Sequence, residues 1–276
     1  MTLAVSKQAL PIYDKPMIYY PLSILMLAGL RDIQVISTPR DLPLFQSMLG
    51  DGSRFGLALD YAVQETPGGL AQAFLIAERF LDGGPACLIL GDNVFYGHQL
   101  PAQLQASASL THGAQVYASH VQDPERYGVA TFDAAGKAIR VEEKPQNPTS
   151  NWAITGLYFY DNKVVDFAKS VKPSQRGELE ITDINALYLE RGELEVKRMG
   201  RGHAWFDTGT PESLHEASAF VQAISRRQSF KIACLEEIAL SQGWLTPEQV
   251  LRALPGGGKG DYGAYVKSIA ETKAYG

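Results

Sequence analysis

Apolar and polar positions alternate between two periods along the first ninety residues. Tyr19 to Leu30 carries the apolar residues of a buried helix, and Ile33-Gln34-Val35-Ile36-Ser37 follows as a β-rich run that Pro39 ends. A helix over Leu42 to Leu49 stops at Gly50-Asp51-Gly52, and Leu57 to Gln64 reads as a strand with two-residue alternation. Gly68-Gly69 opens a helical segment, Leu70 to Leu81, which Asp82-Gly83-Gly84-Pro85 closes. Ala86-Cys87-Leu88-Ile89-Leu90 is an all-apolar strand of the kind buried on both faces of a parallel sheet. It ends on Gly91-Asp92-Asn93, the strand end at which open sheets place their ligand crevice.

Past a helix near Leu100 to Leu110 the character changes. Gln115 to His120, Gly128 to Phe132, Ala138 to Glu143 and Thr155 to Tyr160 are close-spaced strands, and the turn Phe132 to Lys137 makes a hairpin of two of them, with Gly136 free to take positive φ. Helices at about Asn162 to Ser170 and Glu180 to Arg191 bracket a loop through Arg176, and a strand, Leu194 to Met199, leads toward Trp205-Phe206-Asp207. Helices follow over Pro211 to Arg227, Leu235 to Leu240 and Pro247 to Leu254, the last with Thr246 as N-cap. Pro255 to Gly260 reads as a flexible link to a final segment that is assigned no structure. No repeat appears, and no hexapeptide pattern of a β-helix.

Composition narrows the class. With 276 residues, 45% hydrophobic and 20% charged, the chain is globular, of the size of one large α/β domain with appendages. Its formal charge of −5 has no long like-charge runs, so neither nucleic acid nor an anionic membrane is an expected partner, and any phosphate must be held locally. Cys87 and Cys234 stand far apart in apolar sequence, which suggests no metal site, no disulfide framework and a reducing compartment. Pro21 and Ser23 break the most apolar stretch, which is too short to span a membrane, and no signal peptide precedes it; a cytoplasmic protein is the expectation.

Asp92 and Asp207 each follow apolar sequence, so both can converge at one strand-end crevice as ligands of a hard cation, or merely cap the next turn. Gln64 ends a strand before a Gly-rich turn, and its carboxamide can pair with a pyrimidine imide edge or stay solvated. Lys7, Lys144 and Arg176 are lone cations; Glu143 is an ion-pair partner of Lys144 or an acceptor of sugar hydroxyls; Trp205 stacks on a sugar or is structural. No Gly-x-Ser-x-Gly elbow, His-Glu-x-x-His, Walker A loop or Gly-x-Gly-x-x-Gly fingerprint occurs, which argues against hydrolase, kinase and dehydrogenase chemistry.

Taken together, Ser6-Lys7-Gln8, Pro11 through Ser23, Gly69-Leu70-Ala71-Gln72-Ala73, Leu90-Gly91-Asp92-Asn93, Asp123 through Val129, Glu142-Glu143-Lys144-Pro145, Thr155-Gly156-Leu157-Tyr158, Arg176 through Asp183 and Trp205 through Thr210 resemble the glucose-1-phosphate thymidylyltransferases, from Thr2 to about Leu254. The resemblance implies transfer of a thymidylyl group from dTTP to glucose 1-phosphate on a Rossmann-like fold. Its sheet would be mixed and mostly parallel with helices on both faces, serving dTDP-rhamnose and surface polysaccharide synthesis. It implies a core at 1–227, with a nucleotide half to about 110 and a sugar half from about 111, and a C-terminal helical extension and tail at 228–276. By matching motif, Asp92 and Asp207 would hold Mg²⁺, with Lys7, Gln8, Asp92 and Asn93 at the nucleotide and Gln64 with Gly69 reading the thymine. Lys144 and Arg176 would hold the sugar phosphate, and Tyr127, Gly128, Glu143, Ile154 and Trp205 would line the glucose pocket. A homotetramer with a regulatory nucleotide site at an interface is also implied, near Tyr96-Gly97-His98 and Cys234 through Ala239.

The family's first strand and its Gly-Gly-x-Gly-Thr-Arg-Leu loop do not occur ahead of Ser6. The expectation is a chain truncated before that block: an interrupted sheet, little triphosphate binding, surviving sugar-phosphate binding and low turnover. The alternatives are a UTP-using sugar-phosphate nucleotidyltransferase and an inactive sugar-phosphate-binding or regulatory subunit.

Overall fold

The structure, a computed structural model, describes residues 5–272, so the start of the resemblance at Thr2 and residues 273–276 of the tail lie outside it. A short ladder, β1 (Pro11–Ile12) with β2 (Lys15–Pro16), leads into α1 (Tyr19–Leu27), buried nearly all round, as apolar residues on every face of the helix require. β3 (Asp32–Ser37), α2 (Leu42–Leu49) and β4 (Ala58–Val63) form a right-sized β-α-β unit, its strands parallel from Asp32↔Ala58 to Ser37↔Val63.

The helix expected over residues 70–81 is shorter and broken: α3 (Gln72–Ile76) and α4 (Glu78–Leu81) meet at the non-helical Ala77. Its first turn is missing because Gly69 takes φ +95° and the Gly68 carbonyl and Ala71 N–H on either side of it are bound to Leu179 instead. β5 (Ala86–Ile89) is followed by β6 (Asn93–Gly97), a strand that the pattern did not predict because the chain reverses within the two residues after Leu90. Next come α5 (Leu100–Ala108), β7 (Ala114–His120), β8 (Gly128–Phe132), β9 (Ala138–Glu143), β10 (Trp152–Tyr160), α6 (Val164–Ser170) and α7 (Ile181–Glu190). The chain closes with β11 (Leu194–Arg198), β12 (His203–Asp207), α8 (Pro211–Gln228), α9 (Leu235–Ser241), α10 (Pro247–Ala253) and α11 (Gly260–Thr272).

The main sheet has the order β11-β7-β10-β8-β9, with β5 on β10 as a sixth strand. It is mixed, but the balance differs from the expected mostly parallel sheet. β10 is antiparallel to β5, β7 and β8, β8 to β9 and β6 to β12; the parallel ladders are β3–β4 and β7–β11. The loop between β8 and β9 is too short for a parallel crossover, so that pair must be antiparallel. The expected hairpin is present, with Gly136 at φ +81° and the Asp133 carboxylate accepting the N–H groups of Ala135 and Lys137.

Among the described residues no ladder joins β3 to β5. Between them lies an apolar cavity of about 180 Å³ lined by Ile33, Ile36, Phe74, Phe80, Leu88 and Ile89, where the interruption was expected. The final segment is also ordered. Gly263 of α11 lies so close to Gly258 that a β-carbon would come within 2.5 Å of its backbone, and Val266, Ile269 and Ala270 pack into a small core with Cys234 and Val250. The Gly-rich run is therefore a tight turn selected by close approach, not a flexible link.

Candidate active site

The turn after β5 delivers Asp92, and the β6–β12 ribbon places Asp207 opposite Asn93. The N–H and hydroxyl of Thr208 both donate to the Asp92 carbonyl, at 3.0 and 2.7 Å, so the two aspartates stand side by side at adjoining strand ends. Burial first, and then the Asp92 charge, push the Asp207 carboxyl above its usual range, while Lys7 and Arg126 pull it down. Lys7, from the single helical turn Lys7–Ala9, forms an ion pair with Asp92. Gln8 packs on Gly91, where a β-carbon would meet its Cγ at 3.0 Å. Two partly buried carboxylates side by side, offering only oxygen donors, fit a hard divalent cation.

Beside this pair opens a cavity of about 240 Å³, lined by Asp92, Asn93, Tyr127, Gly128, Glu143, Lys144, Ile154, Trp205 and Asp207. Strand ends set its walls: Gly128 opens β8, Glu143 closes β9 and Ile154 lies on β10. One Glu143 oxygen accepts the Thr182 hydroxyl at 2.6 Å, and the other is 3.3 Å from Nη2 of Arg176, which stands at the rim. A β-carbon on Gly128 would come within 3.0 Å of the same Thr182 hydroxyl, so glycine leaves room beside Glu143. Lys144 takes φ +40°, its N–H donates to the Tyr127 carbonyl at 3.0 Å, and its side chain is half-exposed at the mouth.

Trp205 is held structurally: its ring meets Tyr127 edge-to-face at 5.2 Å on the cavity wall, and its indole N–H donates to Asn93 Oδ1 at 2.6 Å. Burial lifts the Tyr127 hydroxyl to about 12, so it stays a neutral donor. Asn93 is buried and fully engaged, accepting also from the Gly156 N–H and donating to Asp92 Oδ1 at 3.0 Å; it orients Asp92 from behind.

Gln64 and Gly69 lie outside this cavity. The Gln64 amide donates to Gln72 at 2.7 Å, and the same Gln72 oxygen accepts the Gly68 N–H. Leu179 clamps the turn, donating to the Gly68 carbonyl at 2.8 Å and accepting from Ala71 at 3.1 Å; a β-carbon on Gly69 would sit 2.3 Å from the Leu179 oxygen. Leu70, between them, reaches the cavity wall.

Four contributors escaped the sequence reading: Gln72, Arg126, Gly156 and Thr182. A β-carbon on Gly156 would strike Leu90 and Asn93 at 2.7 and 2.8 Å, and Arg126 lies 3.9 Å from Asp207. Arg126, Gly156 and Thr182 act through contacts distant in sequence and Gln72 through Gln64 and Gly68 in its own turn; all four stand inside the motif blocks, but nothing in their residue types shows these roles. His112, Asp161 and Glu193 also converge, but the Lys163 ammonium, 3.6 and 3.2 Å from the two carboxylates, already supplies positive charge there. A second cavity of about 300 Å³ brings Tyr96, Gly97, Cys234, Glu237 and Ile238 together beside Lys231. Among the described residues no helix is long and apolar enough to cross a membrane.

A crevice that sets an acidic pair and a lysine against a polar hollow rimmed by further cations is built to handle phosphate esters, and on an α/β scaffold this defines a nucleotidyltransferase. The nucleotidyl transferase family model matches residues 1–224. The chain is 58% identical to a glucose-1-phosphate thymidylyltransferase of Neisseria gonorrhoeae over 266 residues, 96% of this chain and 92% of that protein. It is 55% identical to one of Xanthomonas campestris over 274 residues, 99% of this chain and 93% of that protein. A UDP-glucose pyrophosphorylase solved with UDP-glucose shares the fold alone, at 24% identity and a TM-score of 0.67, over 79% of this chain and 90% of that one. The chain belongs to the nucleotidyl transferase family and, within it, to the glucose-1-phosphate thymidylyltransferases.

Proposed function

We propose that this chain joins dTTP and glucose 1-phosphate into dTDP-glucose, releasing pyrophosphate. The observation that carries the reading is the pairing of Asp92 and Asp207 beside Lys7, one cavity width from Glu143, Lys144 and Arg176. The names of the relatives favour dTTP over UTP.

Lys7 and Gln8 face the nucleotide phosphates, and Gln64 with Gly69 meets the thymine from the turn clamped by Leu179. Lys144 and Arg176 hold the sugar phosphate, while Glu143 accepts sugar hydroxyls in a pocket shaped by Tyr127, Gly128, Ile154 and Trp205. An oxygen of the sugar phosphate, already anionic, attacks the α-phosphorus; that P–O bond forms as the bond to the pyrophosphate oxygen breaks, and no general base is needed. The protein's contribution is alignment and neutralisation of charge. Asp92 and Asp207 would hold Mg²⁺, which would supply further neutralisation of phosphate charge.

The product feeds dTDP-rhamnose and surface polysaccharide synthesis in the cytoplasm. The working unit is a homotetramer whose regulatory nucleotide binds at the cavity that joins Tyr96 and Gly97 to Cys234. The test is pyrophosphate release with glucose 1-phosphate and each nucleoside triphosphate in turn. Release is expected only with a divalent cation, with dTTP ahead of UTP by the worth of one buried methyl, about 1–3 kcal/mol. Faster release with ATP or GTP would overturn the reading.

A further inference from the structure

Arg176, the cation assigned to the sugar phosphate, does not hold its own position. It rides on a tight loop, closed by the Ser174 N–H to the Glu178 carbonyl at 2.8 Å and the Gly177 N–H to the Ser174 carbonyl at 2.9 Å. Its guanidinium turns inward onto Glu180, with Nε 3.2 Å and Nη2 2.9 Å from Oε1, and Nη2 2.8 Å from Oε2. The Ser174 hydroxyl donates to the same Oε1 at 2.7 Å. Glu180 is only 6% exposed, and the donors that surround it satisfy oxygens so deep in the protein. The remaining contacts of Nη2 are longer and wetter: 3.3 Å to Glu143 across the cavity rim and 3.4 Å to Glu178.

We propose that Glu180 is a positioning residue: its buried carboxylate fixes the Arg176 guanidinium at the cavity rim beside Glu143, and the looser contacts to Glu143 and Glu178 are the ones a sugar-phosphate oxygen replaces. Three hydrogen bonds to one buried partner hold the side chain through that exchange, so little orientation is lost when phosphate arrives. The first turn of α7 then serves both ends of the ligand, since Thr182, two residues on, holds Glu143. The proposal rests on reading this cavity as the sugar-phosphate site.

The experiment is calorimetric titration of the full chain with glucose 1-phosphate and, separately, with glucose. Glu180→Gln is expected to weaken glucose 1-phosphate binding about tenfold, the worth of a charge-assisted hydrogen bond, and to leave glucose unchanged. Arg176→Ala is expected to cost at least as much, and Glu180→Gln to add nothing on top of it. A residue that merely stabilised α7 would weaken glucose equally and add its full effect in the Arg176→Ala background; either result overturns the proposal. Should Glu180→Gln fail to fold, Ser174→Ala replaces it, with a smaller loss that must again vanish in the Arg176→Ala background. Unaltered binding in the variants overturns this proposal alone, whereas no binding of glucose 1-phosphate by the unaltered chain overturns the reading of the cavity and this proposal with it.

Discussion

Around β10 every edge is in use: its first residues pair with β8, its last with β5, and β7 runs along the other side. Among the described residues β3 has a ladder on one side, to β4, and faces the apolar cavity on the other. The sugar side is thus closed by backbone pairing and by buried polar groups that satisfy one another, such as the stacked Tyr160 and Tyr188, whose hydroxyls donate to Asn185 at 2.6 Å and Asp161 at 2.7 Å. The nucleotide side depends on packing across a gap, so its ligand-facing turns borrow support from the sugar side. Leu179 holding the Gly68–Ala71 turn is the clearest case.

The comparison breaks most sharply at the aspartate pair, which lies where the two sides meet. Asp92→Asn and Asp207→Asn are each expected to lower turnover about 100-fold or more, the scale of losing one transition-state charge stabiliser, with little change in melting temperature. A collapse in stability instead would make these carboxylates structural. Gly69→Ala tests the borrowed support: a β-carbon 2.3 Å from a backbone oxygen, at φ +95°, should cost about 3 kcal/mol and weaken nucleotide binding more than glucose 1-phosphate binding. Equal losses for both ligands would show that the clamp serves the whole domain.

Asp161→Asn sharpens the other half. Burial raises the Asp161 pKa, but hydrogen bonds from Tyr188, Gly113 and Lys163 outweigh it and hold the carboxyl below its usual range. A depressed acid stabilises the fold above the unfolded-state value and loses that contribution as pH falls through the lower folded-state value. Thermal melts should therefore show the variant about 2 kcal/mol less stable at neutral pH, with the gap closing in acid below 3.8, the ordinary value of an aspartate. A gap independent of pH would assign the loss to packing.

The helix and strand rhythm to Leu90, the hairpin at Gly136 and the Thr246 cap were legible because each is written in consecutive residues; the cap is observed as a full box with Gln249. So were Asp92, Asp207 and the cationic positions, once their motifs stood in order. What was not legible depends on distance in sequence. Antiparallel pairing of β10, the break at Ala77 and the order of the final helix follow from neighbours brought in by the fold. Asn93 reads as a ligand contact until Gly156 and Trp205 are seen to occupy its oxygen. Thr182 carries no local mark because it acts on Glu143, far along the chain, and Gln72 because the turn it braces takes its shape from Leu179.

The β6–β12 ribbon has a cavity at each end: Asn93 and Asp207 line the one beside Asp92, and Tyr96 and Gly97 line the one beside Lys231. Five residues of strand span only about 17 Å, and their pairing admits no half-steps, since a slip by one residue would turn Asp207 and Trp205 to the opposite face together. The ribbon therefore ties the two cavities to one register: Tyr96 and Asp207 cannot shift along it independently of each other.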